Sequence, residues 1–151
     1  MPDRLTFVIQ EHHARRLHWD FRLEHDGVLV SWAVPRGLPT DRTHNRLAVQ
    51  TDDHPMEYAT FEGEIATGGY GGGTVAVWDH GTYDCETWTD DEIKVVLYGE
   101  RARGRFALIH TDGKDWLLHL MEGPSEGGSV ARVPALIRPM MPVSVLSASC
   151  C

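Results

Sequence analysis

His18, Asp20 and Arg22 stand at alternate positions of the run His18-Trp19-Asp20-Phe21-Arg22. On a β-strand such side chains point the same way, which sets an imidazole, a carboxylate and a guanidinium in a row about 7 Å apart. His12 lies six residues before His18, with Gln10 just upstream. A tight connection over residues 13–16 would bring His12 back beside His18. Two imidazoles and one carboxylate suit Mn2+, Fe2+ or Zn2+ and leave coordination positions open for water or substrate. Arg22 adds a fixed positive charge where a metal-bound anion would lie, so the group reads as phosphate chemistry. The competing account of the row is a solvated charged strand face. For His13, His25 and His44 a surface imidazole is the simpler reading.

Two further segments bear on the same chemistry. His54 and Tyr58 are four residues apart and would share one face of a helical turn. They could donate to a phosphate oxygen, or simply pack a short helix on the body of the protein. The run from Gly68 to Gly73 could cradle a phosphate through backbone N–H groups, but it lacks the Lys-Ser/Thr of a P-loop, and a barrel-edge loop explains it equally. His80, His110 and His119 fall in or beside strands and read as structural.

The elements that must hold these residues are strands. Leu17, Trp19, Phe21 and Leu23 form an apolar face opposite His18, Asp20, Arg22 and Glu24. His25-Asp26-Gly27 is a turn, because Asp-Gly supplies positive φ, and Val28–Val34 returns as a hairpin partner. Further strands are expected at 6–10, 46–51, 74–79, 82–86, 93–98, 105–110 and 116–121. Turns are expected at His80-Gly81 and Asp112-Gly113, and a loop over 35–45. His54–Ala59 reads as one helical turn capped by Asp52 or Asp53 with Pro early in it. Eight or nine short strands at regular spacing predict an all-β fold, a closed barrel or a sandwich with little helix.

Length and composition agree. The 151 residues make one domain, with 42% apolar and 24% charged residues. The barrel domain is expected over 1–122, and 123–151 turns Gly- and Pro-rich like an interdomain linker. No apolar run reaches the roughly 18 residues of a membrane helix, and Met1-Pro2-Asp3-Arg4 is no signal-peptide start. Three Cys make no disulfide framework, so a cytoplasmic protein is expected. The net charge of −8 argues against a general nucleic-acid binder, but it is uneven: residues 1–50 hold seven Arg against six acids.

The residues go beyond pattern. The segment Phe7-Val8-Ile9-Gln10-Glu11-His12-His13-Ala14-Arg15-Arg16-Leu17-His18-Trp19-Asp20-Phe21-Arg22-Leu23-Glu24 closely resembles the opening of the phosphoesterase domain of bacterial DNA ligase D. The resemblance continues through Ser31–Gly37, Asp53–Tyr58, Phe61-Glu62-Gly63, Gly69–Val75, Gly104–Leu108 and Trp116-Leu117-Leu118. It implies a β-barrel with short flanking helices that acts in non-homologous end joining. The implied activity is Mn2+-dependent healing of DNA 3′ ends, with Co2+ or Zn2+ as substitutes. A 3′-terminal ribonucleoside is removed by phosphodiester cleavage, and the remaining 3′-phosphate is hydrolysed to a 3′-OH. By position, the resemblance assigns the metal to His12, His18 and Asp20. It assigns phosphate contact to Arg22 and His54, with Tyr58 and Gln10 in support.

Two departures shape the expectation. Family members carry an N-terminal arm with acidic and Arg residues that serves the phosphomonoesterase step, whereas only Met1–Leu5 precede the first strand here. Asp3 and Arg4 would have to substitute. The tail Pro134–Pro142 resembles the junction that leads into a ligase domain, so a free-standing or truncated, nucleoid-associated monomer is expected. Its ligase, polymerase and Ku partners would act in trans. Two other readings compete. A non-haem Fe2+ oxygenase would use His18 and Asp20 with a distal His110 or His119 in place of His12. A catalytically silent module would bind DNA ends or partner proteins without turning them over.

Overall fold

Among the described residues, period-2 alternation produces nine strands, and eight of them close into an antiparallel barrel. The computed structural model describes residues 4–65 and 73–122. The strands are β1 (Leu5–His13), β2 (Leu17–His25), β3 (Val28–Val34), β4 (Arg46–Pro55), β5 (Gly63–Ile65), β6 (Gly73–Trp88), β7 (Glu92–Tyr98), β8 (Arg103–Asp112) and β9 (Asp115–Glu122). Their order is β1-β2-β3-β4-β9-β8-β7-β6, and β1 pairs with β6 to close the ring, while β5 adds to the start of β6. The sheet face turned into the barrel carries Phe7, Ile9, Phe21, Leu23, Trp32, Val34, Tyr83, Val95, Leu97, Phe106, Leu108 and Leu118, all buried. Closure leaves no long unpaired edge and fixes the register of each hairpin.

Several expectations hold locally. The 25–27 turn has Asp26 at φ 52° and Gly27 at φ 84°, the positive pair that matches the twist of a two-residue hairpin. The 35–45 segment joins β3 to β4 without regular structure. Of the apolar face on β2, Phe21 and Leu23 enter the core and Trp19 packs against it, but Leu17 is exposed because it stands at the barrel's rim.

Other expectations are corrected. The expected short flanking helices reduce, among the described residues, to one 3-10 turn, Met56–Thr60. It begins after Pro55 and has no side-chain cap from Asp52 or Asp53, because His54 and Pro55 still belong to β4. His80-Gly81 is no turn: β6 runs straight through it for 16 residues. Gly81 is there for close approach, since a Cβ would lie 2.5 Å from the carbonyl oxygen of Tyr98. Among the described residues no helix is long and apolar enough to cross a membrane. The tail at 123–151 and most of the Gly68–Gly73 run lie outside the described residues.

Candidate metal and phosphate site

The site forms on the face of β1, β2 and β3 that is turned away from the barrel core. Register brings its residues together. His12 pairs with His18, Gln10 with Asp20, and Arg22 with Ser31 on β3, while His54 on β4 pairs with Leu29 on β3. Directly opposed residues share a face, so the alternation seen on β2 extends across two hairpins. This polar face is not solvated. Gln10, His12, Asp20, Arg22 and Ser31 are each at most 1% exposed. The 3-10 turn covers part of it, with the Tyr58 ring lying 4.9 Å from the Arg22 guanidinium carbon.

Asp20 is the hub. Its Oδ1 lies 3.1 Å from His18 Nε2, and its Oδ2 lies 3.3 Å from His12 Nδ1 and 3.4 Å from an Arg22 terminal nitrogen. The His12 and His18 rings meet edge to face at 4.6 Å. Ligand atoms of His12, His18 and Asp20 all lie within 4.8 Å of one another. Burial pushes the Asp20 carboxyl up, but the His18 contact together with the charges of Arg22, His18 and His12 outweighs it and holds the group below its ordinary value. His18 is pushed up, first by its close contact with the Asp20 carboxylate.

The arrangement fits a cation. The Nδ1–H of His18 donates to the Arg16 carbonyl oxygen at 3.2 Å, which leaves the Nε2 lone pair of the neutral ring facing the Asp20 carboxylate. A lone pair and an anionic oxygen at that separation repel unless a proton or a metal ion stands with them. Neither Asp20 oxygen has a well-formed hydrogen bond, although both are buried. A backbone carbonyl that fixes the far nitrogen of a His is also the usual support of a metal-ligating imidazole.

Arg22 is held as a rigid fork. Its Nε donates to Gln10 Oε1 at 2.6 Å and its Nη1 to Ser31 Oγ at 2.9 Å. Gln10 is itself fixed, donating to the carbonyls of Tyr58 at 2.8 Å and Phe61 at 3.1 Å. His54 Nδ1 lies 3.1 Å from Arg22 Nη1 and 2.9 Å from the Asp52 carbonyl oxygen. It accepts from the first or donates to the second, and cannot do both with one nitrogen. Burial, then the Arg22 charge, hold His54 below its ordinary value, so the ring is neutral at pH 7. Burial pushes the Tyr58 phenol up, so it keeps its proton, and its ring lies 4.8 Å from that of His54.

The structure thus gathers His12, His18, Asp20, Arg22, His54, Tyr58 and Gln10 in one place. It adds Ser31, which the sequence reading left out. Ser31 occupies the one polar position between Val30 and Trp32, and counting alternation back through the Asp26-Gly27 turn would have set it beside Arg22. Arg4 is elsewhere, paired with Asp84 at 3.8 Å and lying over Tyr98, and Asp3 lies outside the described residues. His110 bonds the Gly113 carbonyl at 2.7 Å and His119 bonds Asn45 at 2.7 Å, so the ligand group beside His18 and Asp20 is completed by His12. The triad of an oxygenase built on His110 or His119 is not assembled among the described residues.

Residues 10–110 match the family described as the DNA Ligase D 3′-phosphoesterase domain. Similar relatives include the multifunctional non-homologous end joining protein LigD of Mycobacterium bovis, 58% identical over 128 residues. The multifunctional non-homologous end joining DNA repair protein LigD of Mycobacterium tuberculosis H37Rv is likewise 58% identical over 128 residues. Each of these matches covers 82% of this chain and 17% of the relative. The Pseudomonas aeruginosa LigD is 48% identical over 116 residues, 72% of this chain and 14% of its own length. The chain therefore spans about a sixth of the length of the curated relatives it matches.

Proposed function

The chain belongs to the DNA ligase D 3′-phosphoesterase family, and from that premise and the site geometry we propose that it heals DNA 3′ ends with a divalent metal, Mn2+ first and Co2+ or Zn2+ as substitutes. The reaction is removal of a 3′-terminal ribonucleoside by phosphodiester cleavage, then hydrolysis of the 3′-phosphate to a 3′-OH. The single observation that carries the reading is a buried His12–His18–Asp20 cluster with the fixed Arg22 fork at its side.

His12, His18 and Asp20 would hold the ion. A bound metal would supply a Lewis acid and lower the pKa of a coordinated oxygen. The chain's own groups do the rest. Arg22 is locked at Nε and Nη1, so it meets an incoming phosphoryl group without reorganising, and its charge opposes the negative charge that grows on the phosphoryl oxygens. His54, neutral and beside Arg22, offers Nε2 to the same group when its Nδ1 accepts from the guanidinium. The Tyr58 hydroxyl keeps its proton and donates. Gln10 and Ser31 position Arg22 and touch no substrate in this scheme.

Charge placement supports a nucleic-acid end as substrate. In an antiparallel barrel alternate hairpins fall at opposite ends. Arg15 and Arg16 in the β1–β2 connection, Arg36 and Arg42 in the β3–β4 connection, and Arg46 at the start of β4 lie at the end that also holds His12 and His18. Phosphates approach that end. In the cell the module would serve end joining in the cytoplasm, at the nucleoid, with ligase, polymerase and Ku supplied by other parts of a longer protein or in trans.

The test is a primer-template ending in one 3′-ribonucleotide, incubated with Mn2+ or EDTA and resolved on a sequencing gel. A Mn2+-dependent shorter strand bearing a 3′-phosphate, then a 3′-OH, is the expected result. Accumulation of the 3′-phosphate alone would restrict the activity to the diesterase step. End binding without any product would mean a silent binding module.

A further inference from the structure

At the barrel end opposite the metal cluster lies a cavity of about 280 Å3 that the proposed chemistry does not use. Its walls are aromatic. Trp32, Trp88 and Trp116 line it together with His25, and Asp53 and Asp90 also line it. The rings are held in place by one another. His25 stacks on Trp88 at 3.8 Å with the planes within 1°, and Trp116 meets Trp32 edge-on at 5.8 Å. The Trp116 indole N–H donates to Gln50 Oε1 at 3.2 Å, which fixes the far wall.

The charge around the cavity is predominantly negative. The turns at this end carry Asp26, Asp90 and Asp91, the facing ends of β8 and β9 carry Asp112 and Asp115, and the end of β4 adds Asp52 and Asp53, with Lys114 the one cation in the β8–β9 turn. Asp53 and Asp90 are exposed, and neither is paired with an Arg or Lys among the described residues. A phosphate-bearing ligand is repelled here. Aromatic faces with carboxylates beside them attract a cation, whose charge meets the ring quadrupoles and the anionic oxygens together. A guanidinium suits the place best, because its flat face stacks on indole while its edges reach two carboxylates.

We propose that this cavity is a docking site for a basic side chain, an arginine in shape, presented by a protein partner. The barrel is then two-ended: an Arg-bearing end takes the nucleic acid, and an Asp-bearing end takes a basic partner. The inference does not depend on the 3′-end reaction, since no residue of the cavity belongs to the His12–His18–Asp20 cluster or its phosphate contacts.

The five tryptophans make the test selective. The 15N-labelled chain is titrated with N-acetyl-arginine amide while the indole N–H signals are followed, with N-acetyl-glutamine amide and adenosine as neutral controls. The expected result is saturable movement of the Trp32, Trp88 and Trp116 signals, little movement of Trp19 and Trp78, and weakening with salt. Asp53→Asn with Asp90→Asn should weaken the arginine response about tenfold, the loss of two near-surface charge contacts. Both positions are exposed, so the spectrum of the double variant should stay dispersed. Asp90→Asn alone should leave 3′-end processing unchanged. No saturable shift overturns the proposal. So does an equal response to adenosine, or an arginine response that survives the double substitution.

Discussion

Replacing Arg22 separates its role in the fold from its role in the reaction. Arg22 is 1% exposed and sits on four partners: Gln10, Ser31, His54 and Asp20. Arg22→Ala leaves Gln10 Oε1 without its donor and removes the guanidinium from a buried carboxylate. Breaking a buried pair by deleting one partner costs about 3–5 kcal/mol. His12 and His18 still flank Asp20, so the lower half of that range applies, and the orphaned Gln10 oxygen adds about 1 kcal/mol. A loss of about 4–5 kcal/mol is a large part of the stability of a domain this size. Arg22→Lys keeps a positive charge but cannot bond Gln10 and Ser31 at once, and should cost about 1–2 kcal/mol. Its effect on rate should be larger than its effect on folding, a fall of about 100-fold or more, because a mobile ammonium does not present the fixed fork to the phosphoryl oxygens. Urea unfolding in EDTA measures the first quantity, and single-turnover release of the 3′ nucleoside with excess protein measures the second. A lysine variant within about threefold of the original rate, or an alanine variant of unchanged stability, would refute the reasoning.

Other outcomes follow from the same geometry. Mn2+ at about 100 times its dissociation constant should stabilise the chain by about 2.7 kcal/mol against urea, and should do nothing for Asp20→Asn. Asp79 accepts backbone N–H bonds from Glu100, Arg101 and Ala102 at 3.1, 2.9 and 2.7 Å. Asp79→Ala should therefore cost about 2–4 kcal/mol while folded protein keeps its turnover, as read by denaturation and by rate at low temperature. The folded-state His54 value lies below the ordinary 6.5. Its contribution to stability should be present above that ordinary value and lost as pH falls through the lowered one, and its ring C2–H in the metal-free chain should titrate below 6.5. A midpoint at or above 6.5 contradicts the burial and the Arg22 contact from which the shift follows.

Much of this was legible because β2 writes both of its faces into nine residues. Phe21 and Leu23 demand a core, and that demand turns Asp20 and Arg22 the other way. The Asp26-Gly27 turn fixes the next strand's register, which is why the hairpin boundaries came out close. What failed has physical causes. His80-Gly81 carries turn residues, yet pairing with β1 on one edge and β7 on the other holds β6 extended through it. The polar row reads as solvated in one dimension, but the 3-10 turn folds over it from about 40 residues away in sequence, a contact no local pattern encodes. Ser31 needs one step more than composition: only counting across the Asp26-Gly27 hairpin sets it beside Arg22, which it holds. The aromatic cavity draws its walls from β2, β3, β4, β6, β7 and β9, so only closure of the barrel assembles it.

The most direct test of the account counts the metal and the chemistry on the same samples. Mn2+ binding is followed by electron paramagnetic resonance, and 3′-ribonucleoside release by gel, for the original chain, His12→Ala, Asp20→Asn and His110→Ala. About one tightly held Mn2+ per chain and product release are expected in the original and in His110→Ala, with both lost together in the other two variants. Turnover that persists in folded Asp20→Asn, or Mn2+ that is lost on changing His110 and kept on changing His12, would contradict that expectation.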